Sequence, residues 1–366
     1  MDEKERVFNE NATKYGKIFR GESSEQEGWI ENKLIKIRKE LNEYYNDKDV
    51  ILLSPQGITK SVIKNTNLDA GRYHPYINVY CTDSEEVNAF AKKIEGDYYI
   101  GICKGVFKRL HRHIENYVMD EEFSKIPEVG MVFPERMIQI LEDHCWKYLI
   151  FHEFFHIMNG HCDYIQKLGI SELCEVSDLS ADYGMIRQTL EYDADSCAIA
   201  SIMNGFWGSG QMAVQMMQDS YGRLSSDSVI QFISGLLIAI YVFTSWLNVI
   251  RFTELESTEE ELEKMTHPIP GIRLYSMWAT IFTVLEKVKI YTQEEKEEII
   301  DRSMQAVMTF ISVFKDVAYP GYLRYTFEPI CLKHLQKVHN NWKYVRGELT
   351  SSYNELAPFE EVDFCQ

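Results

Sequence analysis

His152, Glu153 and His156 lie in the apolar run LIFHEFFHIMNGH, residues 149 to 161, at a spacing suited to gripping a metal ion. Positions four apart stand one turn above each other on the same face of a helix, so both imidazoles can point at one ion about 2.0–2.1 Å from each nitrogen. Glu153, one step round from His152, is off that face but can reach the outer side of a metal-held water, the place of a general base. A lone histidine on an apolar face would read as a core residue. Two at a four-residue step, with a glutamate after the first, point to a metal centre and to zinc as its ion.

A catalytic zinc needs a third protein ligand and one open position. The segment EYDAD, residues 191 to 195, supplies the candidate. Glu191 and Asp195 fall one turn apart in a helical pattern running from Ala181 to Asn204, so Glu191 is expected to ligate while Asp195 accepts the free N–H of a ligating histidine and fixes its tautomer. The small Ala194 and Ala198 would let that helix come close to the first. His161 is a weaker candidate, because a helix continued past His156 carries its side chain off the metal-facing side. It is read as a polar neighbour of the site.

These groups need elements to hold them. Apolar residues at Ile30, Leu34, Ile37, Leu41 and Tyr45 predict an amphipathic helix from Ser24 to about Tyr45. A strand is expected at Val50 to Leu53, and three more in YINVYC, VNAFA and YYIGIC between Tyr76 and Cys103. Helices are predicted at Lys104 to Tyr117, Glu135 to Gly160 and Ala181 to Asn204, with later starts marked by Ser257 with Glu260 and by Thr292 with Glu295. The fold class is α+β, a small N-terminal sheet followed by a predominantly helical remainder.

The 366-residue length suggests a core with appended elements, and 45% hydrophobic against 26% charged residues is ordinary for a folded protein. A net charge of −18 opposes binding to phosphate backbones, so no nucleic-acid partner is expected. Eight cysteines without a C-x-x-C pair read as reduced thiols. Together with a charged, signal-free N-terminus they point to the cytoplasm. Val229 to Ile250 is long and apolar enough to cross a bilayer. Gln231 and Asn248 interrupt it and no second such segment exists, so a buried helix is expected and a membrane association is not.

HEFFHIMNGH followed by EYDAD resembles the gluzincin metallopeptidases of the HtpX and CAAX-prenyl-protease type. VNAFA, residues 87 to 91, resembles the strand that edges the cleft in that family and pairs with the substrate backbone, which implies peptide binding by Asn88 and Ala89. YYIGICKGVFKRL resembles the family's next strand and helix. THPIPGIR, residues 266 to 273, is similar to its T-H-P motif ahead of an arginine, implying that His267 lies near the reaction centre and serves catalysis. The resemblance covers about residues 76 to 275 and implies a zincin-like catalytic core there. Residues 1–75 would then be a leading helix and segment, and 276–366 a C-terminal helical extension.

That family is typically membrane-embedded, whereas this chain lacks an apolar pair near its N-terminus and fits a soluble offshoot. In outline it is also similar to the Lit-type peptidases of phage exclusion and to regulator-cleaving peptidases of mobile elements, through HExxH and the YIGI segment. The expected function is therefore a zinc-dependent endopeptidase acting on a specific intracellular protein. Two alternatives stand beside it: a non-catalytic zincin-fold binding or regulatory protein, and a membrane-anchored quality-control protease of the HtpX type.

Overall fold

The computed structural model describes residues 2–11, 15–44, 51–54, 57–60, 77–169, 181–213, 223–248, 259–265, 267–314 and 329–349. In chain order these form α1 (Glu3–Asn11), α2 (Ser24–Tyr44), β1 (Ile51–Ser54), β2 (Gly57–Lys60), β3 (Ile77–Thr82), β4 (Ala89–Ile94), β5 (Asp97–Cys103), α3 (Lys104–Val118), α4 (Pro134–Met158), α5 (His161–Lys167), α6 (Ala181–Ala213), α7 (Ser226–Asn248), α8 (Glu259–Lys264), α9 (Pro270–Lys287), α10 (Gln293–Val313) and α11 (Pro329–Glu348). The protein is mostly helical with a small mixed sheet, in keeping with the α+β class. Val50, Tyr76 and Ser257, which belong to predicted strands and to a predicted cap, lie outside the described residues. Thr292 and Glu295 form the expected reciprocal capping pair at the start of α10.

The predicted strands pair in the order β3-β5-β4, with β3 parallel and β4 antiparallel to the central β5. Side chains alternate across the sheet. Ile77, Val79, Cys81, Ala89, Ala91, Ile100 and Ile102 face the main core with residues of α2, α3 and α4. Tyr80, Phe90 and Tyr99 face the other way, onto Phe8 of α1 and Tyr15. Phe8 sits 5.2 Å from the Tyr80 ring and 5.7 Å from Tyr99, and Tyr15 stacks on Phe90 at 4.7 Å. Helix α1 had no clear signal in the sequence, yet it closes the second face of the sheet.

The two edges of the sheet differ. Along β3, Ile18 bridges Thr82, Phe19 N–H donates to Cys81 O at 2.8 Å, and Asp83 N–H donates to Lys17 O at 2.9 Å. That edge is covered. At β4, Cys103 N–H donates to Asn88 O at 2.9 Å. By antiparallel alternation the backbone groups of Asn88, Phe90 and Lys92 therefore turn toward β5, and those of Ala89, Ala91 and Lys93 turn outward. Among the described residues β4 is the open edge, and it packs on α4.

Helix α6 is the axis of the helical part, touching α4, α8, α9 and α11. It is buried on all sides from Gln188 to Met203, as a helix enclosed by others must be. One helix among the described residues is long and apolar enough to span a membrane, the Ser226–Ser245 stretch of α7, and 83% of it is buried inside the protein. It packs against α4, α9 and α10, and Gln231 donates to Glu128 O at 3.2 Å. The boundary drawn at residue 275 falls inside α9, and one apolar cluster runs from Ile30 to Ile311. Since α7 serves as a core helix, Leu237→Ala should lower the free energy of unfolding by about 2–5 kcal/mol. Urea unfolding of the purified protein measures this, and an unchanged midpoint would place Leu237 outside the core.

Candidate metal centre

Helix α4 presents the three motif residues as the spacing predicts. His152 and His156 stand one turn apart with their Nε2 atoms 3.1 Å from each other. Glu191 reaches them from α6, Oε2 lying 3.3 Å from His152 Nε2 and Oε1 3.3 Å from His156 Nε2. All three residues are buried, and their ligand atoms lie within 4.8 Å of one another. The separations match the edge of a tetrahedral site with bonds of about 2.0–2.1 Å, which is about 3.3 Å. Glu191 Oε2 is buried and accepts no hydrogen bond among the described residues. Its near neighbours are His152 Nε2 at 3.3 Å and Arg273 Nη2 at 3.5 Å, so the oxygen lies where positive charge is favoured, and the donor set fits a metal ion.

Each imidazole is backed by a carboxylate. Asp195 Oδ1 lies 2.8 Å from His152 Nδ1, beside the imidazole it was expected to orient, at ion-pair distance but without hydrogen-bond alignment. Asp195 is itself held by a bidentate guanidinium, Arg273 Nε to Oδ2 at 2.8 Å and Nη2 to Oδ1 at 2.7 Å, and by Tyr148 OH at 2.6 Å. Burial alone would raise the Asp195 carboxyl, but Arg273 and His152 outweigh it and bring it down to about 2. Burial likewise works against charge on Glu191, and His267, His152 and His156 hold it well below the usual carboxylate range.

The helix breaks where continuity had been assumed. Helix α4 ends at Met158, Gly160 adopts a left-handed φ of 79°, and α5 begins at His161. The turn swings His161 behind His156 with their Nδ1 atoms 2.9 Å apart, and His161 Nε2 meets Asp193 Oδ2 at 2.9 Å. His161 is thus off the ligand cluster, as predicted, but in direct contact with a ligand. Burial keeps its imidazole below the ordinary value, only partly opposed by Asp193.

Glu153 is buried beside the cluster and makes no hydrogen bond or ion pair with any described residue. Burial raises its carboxyl, offset in part by His152 and His156. His267 sits at the rim, 29% exposed, with Nε2 3.6 Å from Glu191 Oε1. It lies near the centre, as the resemblance implies, but outside the cluster of mutually close ligand atoms. Its nearness to Glu191 also shows that α7, which separates the two in sequence, does not carry them to opposite sides of anything. Asn88 leads into β4, with its side-chain amide engaged by Tyr15 OH at 3.0 Å and by Ala89 N–H at 2.9 Å. Ala89 lies on the open strand.

Arg273 entered the sequence reading only as the arginine after the T-H-P motif, and Tyr148, Asp193, Asn159 and Trp342 were not singled out by sequence. Tyr148 had a usable signal, being four residues before His152 on the same helix face. Asp193 is two residues from Glu191 and projects from another face of α6, while Arg273 and Trp342 arrive from distant helices. The fold and centre together describe a helical protein with a buried two-histidine, one-carboxylate group able to hold a metal ion. No protein-family model matches the chain, and no curated protein or solved structure shows significant similarity to it.

Two outcomes follow. Burial pulls the His152 imidazole down, but Glu191 and Asp195 overcome this and push it up to about 10 in the metal-free protein. That stabilisation is complete below pH 6.5, the ordinary histidine value, and is lost as pH rises through about 10. An ion taking His152 Nε2 must displace the proton, so between those limits uptake should release about one proton and affinity should rise about tenfold per pH unit. Titration calorimetry in buffers of different ionisation enthalpy counts the protons, and zero release would remove His152 as a ligand. Arg273→Met should cost about 3–5 kcal/mol by leaving Asp195 uncompensated, and adding Asp195→Leu should restore most of it. Denaturant unfolding of the single and double variants tests this.

Proposed function

We propose that this protein is a zinc-dependent endopeptidase of the gluzincin kind, built on a zincin-like core and acting on a specific protein of the cytoplasm. The observation that carries the reading is the pattern of engagement around His152, His156 and Glu191. Among the described residues Asp195 and His161 stand behind the imidazoles and His267 stands back at the rim, so three protein groups converge and no fourth closes the set. Structural zinc sites use four protein ligands; catalytic ones keep a position open. Two imidazoles and one carboxylate are a ligand set that catalytic zinc uses, and the HExxH spacing is what favours zinc over iron.

His152, His156 and Glu191 would hold the ion, which supplies an acidified water and polarises the scissile carbonyl. Glu153 takes the proton from the attacking water on a carboxylate oxygen. Its raised pKa and freedom from other partners suit that task. It then delivers the proton to the leaving amide nitrogen, so one proton crosses the site per bond cut. His267, at the rim, donates a hydrogen bond to the oxygen on which negative charge develops.

The substrate is held extended by strand addition to β4, through the outward backbone groups of Ala89 and Ala91. Asn88 contributes by anchoring the start of that strand, because its side-chain amide is already used by Tyr15 and Ala89. Backbone pairing of this kind tolerates many side chains. A net charge of −18 opposes binding to a phosphate backbone and so favours a protein substrate.

Glu153→Gln should reduce turnover by at least about a thousandfold while zinc content stays at the wild-type value. Metal analysis, together with a comparison of protein termini in cells making wild type or the variant, reads both quantities. Equal cleavage by the two proteins would sink the peptidase reading.

A further inference from the structure

The two sides of the metal centre are supported differently. His152 meets its carboxylate directly, whereas His156 reaches one only through a second imidazole. The chain continues further. Asp193 Oδ2 also accepts from Asn159 Nδ2 at 2.5 Å, and Asp193 Oδ1 accepts from the indole Nε1 of Trp342 at 2.6 Å. Trp342 belongs to α11, 149 residues away in sequence. It is 2% exposed, stacked by His339 at 5.7 Å with a 16° angle between ring planes, and packed with Tyr192, Leu335 and Val338 where α11 docks on α6.

With His161 as a neutral imidazole, hydrogen-bond directions leave one consistent assignment. Trp342 can only donate, so Asp193 accepts as a carboxylate. His161 must then give its Nε2–H to Asp193, which leaves Nδ1 as an acceptor in the neutral ring. His156 must in turn place its proton on Nδ1, leaving the Nε2 lone pair directed at His152 and Glu191. Among the described residues no other group makes a hydrogen bond with His156 Nδ1, and Asp193 and His161 are each almost wholly buried.

We propose that His161, Asp193 and Trp342 are positioning residues that fix the tautomer and orientation of His156, so that metal affinity depends on the docking of α11. The inference rests on the metal-holding part of the reading above and not on peptide hydrolysis. It gives the C-terminal extension a task in the centre: α11 clamps Asp193, Asp193 clamps His161, and His161 selects the tautomer of a ligand. Groups that orient ligands typically change metal affinity by about 10–100-fold when removed.

The test is the zinc dissociation constant, by chelator competition, of the full chain and of His161→Phe, His161→Gln and Trp342→Phe. His161→Phe should weaken binding by about 10–100-fold. His161→Gln should recover most of this, because its carbonyl can accept from His156 and its amide can donate to Asp193. Trp342→Phe, which keeps an aromatic ring but removes the donor, should weaken binding by about threefold to tenfold. A merely structural role would lower the metal-free melting temperature and leave the constant unchanged.

Wild-type affinity in both His161→Phe and Trp342→Phe overturns the proposal. Should His161→Phe fail to fold, nitrogen-15 NMR of the zinc-loaded wild type decides alone. His161 protonated on Nε2 supports the chain, and protonation on Nδ1 breaks it. If the wild type binds no zinc, the centre and this proposal fall together. Normal zinc binding with no peptidase activity removes only the enzymatic reading.

Discussion

Two imidazoles and a carboxylate can share a dry interior only if their charges are met, and this requirement organises the middle of the molecule. In the metal-free state the interior holds the carboxylates of Glu191, Asp193 and Asp195 against the Arg273 guanidinium and a protonated His152. An ion held by His152, His156 and Glu191 would take the place of the His152 proton.

The same requirement explains the helix packing. Helix α4 brings two donors and α6 the third, and their crossing needs the buried Ala194 and Ala198 alongside Asp195. Helix α9 is needed because Asp195 would otherwise be an uncompensated buried charge, and α11 because Asp193 would be another. The helices that pack on α6 therefore bring polar partners as well as apolar surface: Arg273 of α9 and Trp342 of α11 donate to its carboxylates, and Gln188 of α6 donates to Leu262 O of α8. Packing and electrostatics are solved by the same contacts. Loosening any of these helices would unbalance a charge near the centre.

Around this centre the sheet is asymmetric for a physical reason. Residues 17 to 19 pair with β3 and close one edge, while nothing described pairs with the outer edge of β4, the strand that lies on α4. An open strand is normally a liability for aggregation and persists where it has a use or a cover. Here it is short, and Lys92 and Lys93 stand on its two faces, held by Asn11 O and by Asp163. Those features limit self-association while leaving the backbone of Ala89 and Ala91 available.

What the sequence alone determined was local. The four-residue step of His152 and His156, the one-turn step from Glu191 to Asp195, the Thr292–Glu295 cap and the three short strands all depend on periodicities that hold within one element, so they were legible before any packing was known. The apolar stretch of α7 could be placed in the core only by argument. Tertiary structure decided the rest. Gly160 redirected the chain so that His161 stands behind His156, Asp193 found use on a different face of α6 from Glu191, and Arg273 and Trp342 reached the centre from 78 and 149 residues away. Apart from the arginine that follows the T-H-P motif, such partners carry no sequence signature, because hydrogen-bond donors are paired with buried carboxylates by the way helices dock and not by their spacing along the chain.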